Sequence, residues 1–334
     1  MKKIIESPFA DCNASLHIKP VKMTFRKEEF DVYDYYYVCD KTKKEFSTEE
    51  AGDIALNQLY NQYREKHNIM FPVEIKELRE KYGLSAAKMS DVLGFGTNIY
   101  RNYENGEVPN KLNANILELA KNPDNFLKLA KESGALSDTE LDELKKKTER
   151  NFDVTEEETI KKRFRIFSAD IDQFTGYIHK QYDKIANMVL FFLSMTNRTY
   201  KTRLNKYLFY SDFLSYKYKG IAMSGFNYVA IDKGPVPDSY EMLYDTLEKE
   251  NYIKIEEIED AKGKEYSKMV PLKSFDVSNF DEEEMEILKL VIDNLQYKKT
   301  QDIIDESHKI SAWKDNFESK GVISYQKYAW EVEV

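Results

Sequence analysis

Cysteine is nearly absent: Cys12 and Cys39 are the only two in 334 residues. Two are too few for a disulfide framework, and a reducing compartment would keep both as thiols. No apolar run approaches the roughly 18 to 20 residues that span a bilayer, and the opening Met-Lys-Lys-Ile-Ile-Glu-Ser-Pro has no apolar signal core, so a cytoplasmic protein without a membrane partner is expected. Positive charge is also short. The 50 Lys plus Arg face 59 Asp plus Glu, a net charge of -9, which disfavours a nonspecific nucleic-acid coat and restricts any DNA contact to a local reading head. There is no internal repeat, no low-complexity tract and no nucleophile elbow.

What is present is a globular composition, 42% hydrophobic and 33% charged, over a length that predicts two or three domains. Aromatic residues reach 13%, with 24 Tyr and 19 Phe. Such a surplus suits either contact surfaces or cores filled with rings in place of leucine.

Residues 1 to about 50 hold β-prone pieces, Leu16-His17-Ile18 and Val32 to Val38, between charged turns. Thr48-Glu49-Glu50 then offers a cap and acidic first turn for a helix to about Lys66, carried by Ala51, Ile54, Ala55, Leu59 and Tyr60. Residues 134 to 180 are dense in Lys and Glu, with Leu136, Leu141, Leu144, Ile160, Phe164 and Phe167 as sparse apolar marks. They read as linker helices around a break at Asn151-Phe152-Asp153-Val154. From about Ile185 a buried helix is expected, then a helix over Leu204 to Tyr218 and a loop over Gly220 to Pro237. A helix over Asp238 to Glu250, a hairpin over Tyr252 to Val270 turned at Asp260 to Gly263, and helices near Glu282 to Leu295 and Gln301 to Lys309 follow.

The stretch from 71 to 133 reads as short helices broken at Gly83, Gly94-Phe95-Gly96, Gly106 and Asn122-Pro123. Ile75, Leu78 and Tyr82 line one helix, and Met89, Val92 and Leu93 face inward on a second capped by Ser85. Gly94 permits the turn of a helix-turn-helix. A third helix is expected from Thr97 to Asn105, with Ile99 and Tyr103 buried and Asn98, Tyr100, Arg101 and Asn102 outside. Asn and Arg are the side chains whose forks match adenine and guanine edges, so Thr97, Asn98, Tyr100, Arg101 and Asn102 form the candidate DNA-reading set. Residues 71 to 134 carry nine basic against nine acidic residues, so a scaffold or dimerisation unit, with Arg101 paired to Glu104, stays open.

Gly83-Leu84-Ser85 through Tyr103-Glu104-Asn105-Gly106, with Pro109, resembles the DNA-binding domain of the MqsA/YgiT-type antitoxin family over about 55 residues. The resemblance implies operator reading by an Asn and an Arg; Asn98 matches the first, Asn102 stands at the second, and Arg101 lies one place early. That family opens with two C-x-x-C pairs on zinc, because tetrahedral coordination needs four thiolates. Here the pairs read Cys12-Asn13-Ala14-Ser15 and Cys39-Asp40-Lys41-Thr42. With hydroxyls in half the positions, and His17 outside knuckle spacing, neither metal nor cofactor is expected.

Tyr207 to Lys217, Met223-Ser224-Gly225-Phe226-Asn227-Tyr228 and Gly234-Pro235-Val236-Pro237, with Ser307-His308, Trp313 and Ile323-Ser324-Tyr325, resemble the Panacea or SocA-like domain over about 185 to 328. The resemblance implies a domain that neutralises a cognate toxin by direct binding. Tyr207, Tyr210 and Tyr216 could form an aromatic contact strip or pack in the core. Gly234 to Pro237 is a stiff turn, architectural or presented to a partner. The candidate toxin-binding set is Tyr210, Asp212, Tyr216, Lys217, Gly234, Pro235, Pro237 and Trp313. Adjacent Ser307 and His308 on one helix point apart, so with Asp212 they do not read as a hydrolase, and no enzyme is expected.

The reading is therefore a mainly α chain with a degenerate zinc-ribbon-like segment and helix (1–70), a helix-turn-helix domain (71–133), charged linker helices (134–180) and a Panacea-like domain with a short hairpin (181–334). The expected function is a type II antitoxin that binds its toxin and represses its own operon, as a homodimer on operator DNA. The rival is a transcription regulator whose C-terminal domain senses another protein.

Overall fold

The computed structural model describes residues 3–150, 171–196, 199–259 and 265–334, and among them are fourteen α-helices and three small antiparallel sheets. The expected break at Asn151 to Val154, the marks Ile160, Phe164 and Phe167, and the turn at Asp260 to Gly263 lie outside the described residues. The chain is mainly α with small β elements. It divides into two units, one of Met1–Val21, Tyr33–Ala55 and Phe164–Val334, the other of Lys22–Val32 and Leu56–Arg163.

The N-terminal sheet has the order β1 (Ile4–Glu6), β2 (Asn13–Phe25), β3 (Glu28–Cys39), β4 (Glu45–Phe46). The charged stretch expected to break it is instead continuous strand. Lys19, Lys22 and Glu29 are side chains of extended backbone, and the connection is the two-residue turn Arg26-Lys27, both at positive φ (47° and 71°). Such a turn matches strand twist but ordinarily takes Asn-Gly. α1 (Glu49–His67) follows, its first turn capped where the Thr48 hydroxyl accepts from the Ala51 amide at 3.2 Å.

In the unit containing Leu56–Arg163, α2 (Pro72–Tyr82), α3 (Ala86–Val92), α4 (Ile99–Glu104), α5 (Lys111–Ala120), α6 (Pro123–Ser133) and α7 (Asp138–Arg150) enclose one core. Ile75, Leu78, Met89, Tyr100, Leu117 and Phe126 are among its buried members. The Tyr82 ring stacks on Phe126 at 3.7 Å while its hydroxyl donates to the Ala120 carbonyl at 2.6 Å, so one side chain fills the core and satisfies a helix end. Leu136 and Leu144, taken from the sequence as linker marks, are buried in this core, with Leu141 packed against it.

The other unit is organised by α9 (Lys201–Lys219), preceded by α8 (Tyr182–Met195) and β5 (Thr199–Tyr200). Every residue of α9 from Leu204 to Lys217 is buried, the pattern of a helix enclosed on all sides. Around it lie β6 (Tyr228–Ile231), β7 (Gly234–Pro237), α10 (Tyr240–Lys249), β8 (Ile253–Glu259), β9 (Glu265–Pro271) and α11 (Glu282–Leu295), then α12 (Thr300–Ser307), α13 (Ser311–Phe317) and α14 (Tyr325–Tyr328). The expected loop over Gly220 to Pro237 contains the β6–β7 hairpin, registered Tyr228 opposite Pro237 and Ile231 opposite Gly234. Proline is tolerated because β7, which carries both Pro235 and Pro237, is an edge strand.

Candidate functional site

A helix buried on every side must satisfy its polar residues internally, and α9 does so one by one. Asn205 accepts from the Tyr244 hydroxyl at 2.5 Å. Lys206 donates to the Pro235 carbonyl at 2.7 Å, and burial holds its amine well below the usual range. Ser211 donates to the Tyr207 carbonyl and Ser215 to the Ile221 carbonyl. Lys217 donates to the Val332 carbonyl at 3.0 Å. The Lys217 carbonyl in turn accepts from the Tyr35 hydroxyl, which anchors the N-terminal sheet to the end of α9.

Asp212 is the hub of this network. One carboxylate oxygen accepts from the Met223 and Ser224 amides at 3.0 and 2.7 Å. The other accepts from the Ser224 and Tyr228 hydroxyls at 2.5 and 2.7 Å. Burial pushes its pKa up to about 6, a rise that the four donors limit by favouring the carboxylate. The chemical consequence is architectural: one side chain fixes the turn after α9 and the start of β6.

β7 is held as tightly. Gly234 has φ +89°, and a Cβ there would lie 2.3 Å from Ser307 Oγ and 2.6 Å from Lys206 Nζ, so only glycine fits. Ser307 donates to the Ile304 carbonyl, and His308 stacks on Trp313 at 3.8 Å. The Trp313 indole donates to the Ile231 carbonyl at 2.8 Å and its ring also stacks on Phe317. Asp212, Ser307 and His308 are thus engaged separately, each with its own partners.

Residues 204–314 match the family model of the Antitoxin SocA-like, Panacea domain. No match was found among curated proteins, and none among solved structures. The Panacea segment thus runs from the start of α9 into α13.

Seven of the eight residues expected on its toxin-binding surface are not on the surface. Tyr210, Asp212, Tyr216 and Lys217 are 2, 0, 0 and 4% exposed, and Gly234, Pro235 and Pro237 are buried in β7. The aromatic strip is a core feature: Tyr216 packs beside Tyr325 and Trp330, and its hydroxyl bonds Gln326. The stiff Gly-Pro-Val-Pro turn is strand, and the exposed tip of its hairpin is Asp232-Lys233. Trp313 alone of the eight is half-buried. The open part of the segment includes a cleft between the end of α9 and α11, lined by Tyr218, Lys219, Glu283, Glu286, Ile287 and Leu290. Sequence reasoning missed it because its lining comes from two helices far apart in sequence and mixes charged residues with Ile287 and Leu290.

In the other unit, Thr97, Asn98, Arg101 and Asn102 are exposed, whereas Tyr100 is fully buried. α4 starts two residues later than expected, after Asn98 in the left-handed region at φ +64°. Tyr100 lies three residues before the buried Tyr103 and shares its inner face, where its hydroxyl donates to the Ile75 carbonyl at 2.7 Å and its amide to Ser90 Oγ at 3.1 Å. Glu104 is engaged by Arg79 at 2.6 Å, not by Arg101. The loop after α4 is held by two arginines, Arg64 donating to the Gly106 carbonyl and Arg26 to those of Val108 and Pro109.

The cysteines lie together, Cys12 Sγ 3.5 Å from Cys39 Sγ. His17 stacks on Tyr36. Among the described residues no three His, Cys, Asp or Glu side chains are grouped to hold a metal ion, and no helix is long and apolar enough to cross a membrane.

Proposed function

We propose that this chain is an antitoxin that neutralises a cognate toxin by direct contact through its C-terminal Panacea segment and acts without catalysis in the cytoplasm. The observation that carries the reading is the match of residues 204–314 to the SocA-like antitoxin family. Since the signature side chains are core, toxin contact falls on exposed positions, the α9–α11 cleft and the Trp313 face being the first to test. In the other unit, α3 and α4 act as a helix-turn-helix that represses the antitoxin's own operon, with Thr97, Asn98, Arg101 and Asn102 toward DNA and a homodimer matching a palindromic operator.

Co-expression with the product of the adjacent gene tests the first part. Growth rescue with a co-purifying complex, lost in Glu286→Lys or Trp313→Ala while the fold is retained, is the expected result. A harmless neighbour that forms no complex would replace this reading with a regulator sensing another protein. For the second part, Asn98→Ala and Arg101→Ala should weaken binding to the native promoter in a salt-dependent shift assay; unchanged binding would remove both from the reading head.

A further inference from the structure

The two cysteines are 27 residues apart in sequence yet their sulfurs are 3.5 Å apart. Backbone hydrogen bonds fix both positions. The Asp40 amide donates to the Asn13 carbonyl at 3.0 Å, joining the residues that follow each cysteine, and the Cys12 carbonyl accepts from Ser7 at 2.9 Å. On the other side the Cys39 amide donates to Lys44 and its carbonyl accepts from Lys43, closing a tight turn. The sulfurs therefore face each other because the sheet register puts them there.

Their surroundings differ in a way that assigns separate chemical roles. Cys12 is half-buried and reachable from solvent, whereas Cys39 is covered. Hydrogen bonds from Ser7 and Thr42 lower the Cys39 thiol to about 6, and the Thr42 amide points at its sulfur at 3.4 Å. The covered sulfur is thus held as a thiolate beside the accessible one, the arrangement of a resolving and an attacking thiol.

We propose that Cys12 and Cys39 form a reversible dithiol–disulfide site that exchanges with low-molecular-weight disulfides of the glutathione class. Cys12 attacks one sulfur of the external disulfide, forming a mixed disulfide and expelling a thiolate that takes up the proton Cys12 lost. Cys39, already a thiolate, then attacks Cys12 Sγ, closing the internal bond and expelling the second thiolate, which takes up from solvent the proton that Cys39 gave up on ionising. Two protein thiols are oxidised and one external disulfide is reduced to two thiols, so no other oxidant is needed. The closed bond clips the start of β2 to the end of β3, the strand whose Tyr35 holds the Lys217 carbonyl at the end of α9. Oxidation therefore braces the sheet under the helix that organises the Panacea segment. This site does not depend on whether that segment binds a toxin.

The test uses the reduced full-length protein and glutathione disulfide, followed by intact mass and thiol titration. The expected end point is loss of both thiols and of two hydrogens, with no retained glutathione and full recovery on adding dithiothreitol. Cys39→Ser should stop with one glutathione on Cys12, and Cys12→Ser should keep Cys39 free. Oxidation should raise the melting temperature of the native chain and leave that of Cys12→Ser unchanged. If either variant fails to fold, the native time course decides, since the mixed disulfide must form first and then vanish. A glutathionylated end point, a disulfide-linked dimer, or two thiols that persist in excess oxidant would overturn the proposal.

Discussion

Removing the Asp212 carboxylate should cost more stability than any other single polar change in the Panacea segment. Its two oxygens accept four hydrogen bonds in a site closed to solvent. Asp212→Ala strands the Met223 and Ser224 amides and the Ser224 and Tyr228 hydroxyls. At about 1–3 kcal/mol for each buried unpaired group, and with the two hydroxyls free to rotate toward other acceptors, the expected loss is about 4 kcal/mol at pH 7. Asp212→Asn should be milder, about 2 kcal/mol or less. Its oxygen can still accept both amides, and its NH2 faces the two hydroxyls, which can accept in turn.

The native chain and the Asp212→Asn variant should also differ in their response to pH. Burial raises Asp212 to about 6 from an ordinary value of 3.8. Between those limits the folded state keeps a proton that the unfolded chain has released, so the contribution of this group to stability is greatest at low pH. It falls as pH rises from about 4 to about 6. A gap of about two units corresponds to about 3 kcal/mol. The carboxamide of the Asp212→Asn variant has no such proton to lose, so the stability of that variant relative to the native chain should rise by about 3 kcal/mol from pH 4 to pH 7. Urea unfolding followed by circular dichroism at both pH values measures the difference. An alanine variant within about 1 kcal/mol of the native chain, or a native-minus-variant difference for Asp212→Asn that stays constant with pH, would refute the reasoning.

Gly234→Ala should lower thermal stability by about 2–4 kcal/mol, because its Cβ would collide with Ser307 and Lys206 at a φ of +89°; a neutral result in a melt would mean β7 is not held as described. Lys27→Gly should do the opposite and stabilise by about 0.5–1 kcal/mol, since φ +71° is strained for lysine and free for glycine; a lower melting temperature would show that Lys27 makes a compensating contact. Tyr100→Phe should cost about 1–2 kcal/mol in denaturant unfolding through the lost bond to Ile75. A variant that folds normally yet loses promoter binding would return Tyr100 to the DNA-reading set.

Helix positions were largely legible in the sequence, because α1, α2, α3 and α11 carry capping signals and α8 is a dense apolar run of helical length. Charge misled the reading at β2, where Lys19 and Lys22 looked like part of a charged turn although extended backbone of a half-exposed strand accommodates both. At α4 the error was one of phase. Tyr100 precedes Tyr103 by three residues and so shares its buried face, whichever residue starts the helix. The Cys12–Cys39 approach was implied only by the resemblance to a zinc ribbon, because the spacing in sequence itself says nothing about register across a hairpin.

The burial of most of the residues that carry the Panacea resemblance follows from the packing demands placed on them. Asp212 must accept four donors, Gly234 must lack a Cβ, and Tyr216 must fill a space beside Tyr325. Those are demands of packing, met inside the protein. A residue enclosed on all sides cannot tell one partner from another, so such a signature identifies the fold while leaving the partner to the exposed rim. In this chain that rim includes Tyr218, Glu283, Glu286 and Leu290 around the cleft and the outer face of Trp313. Substitutions there should alter partner binding with little change in stability, whereas substitutions in the signature should lower both together by unfolding the segment.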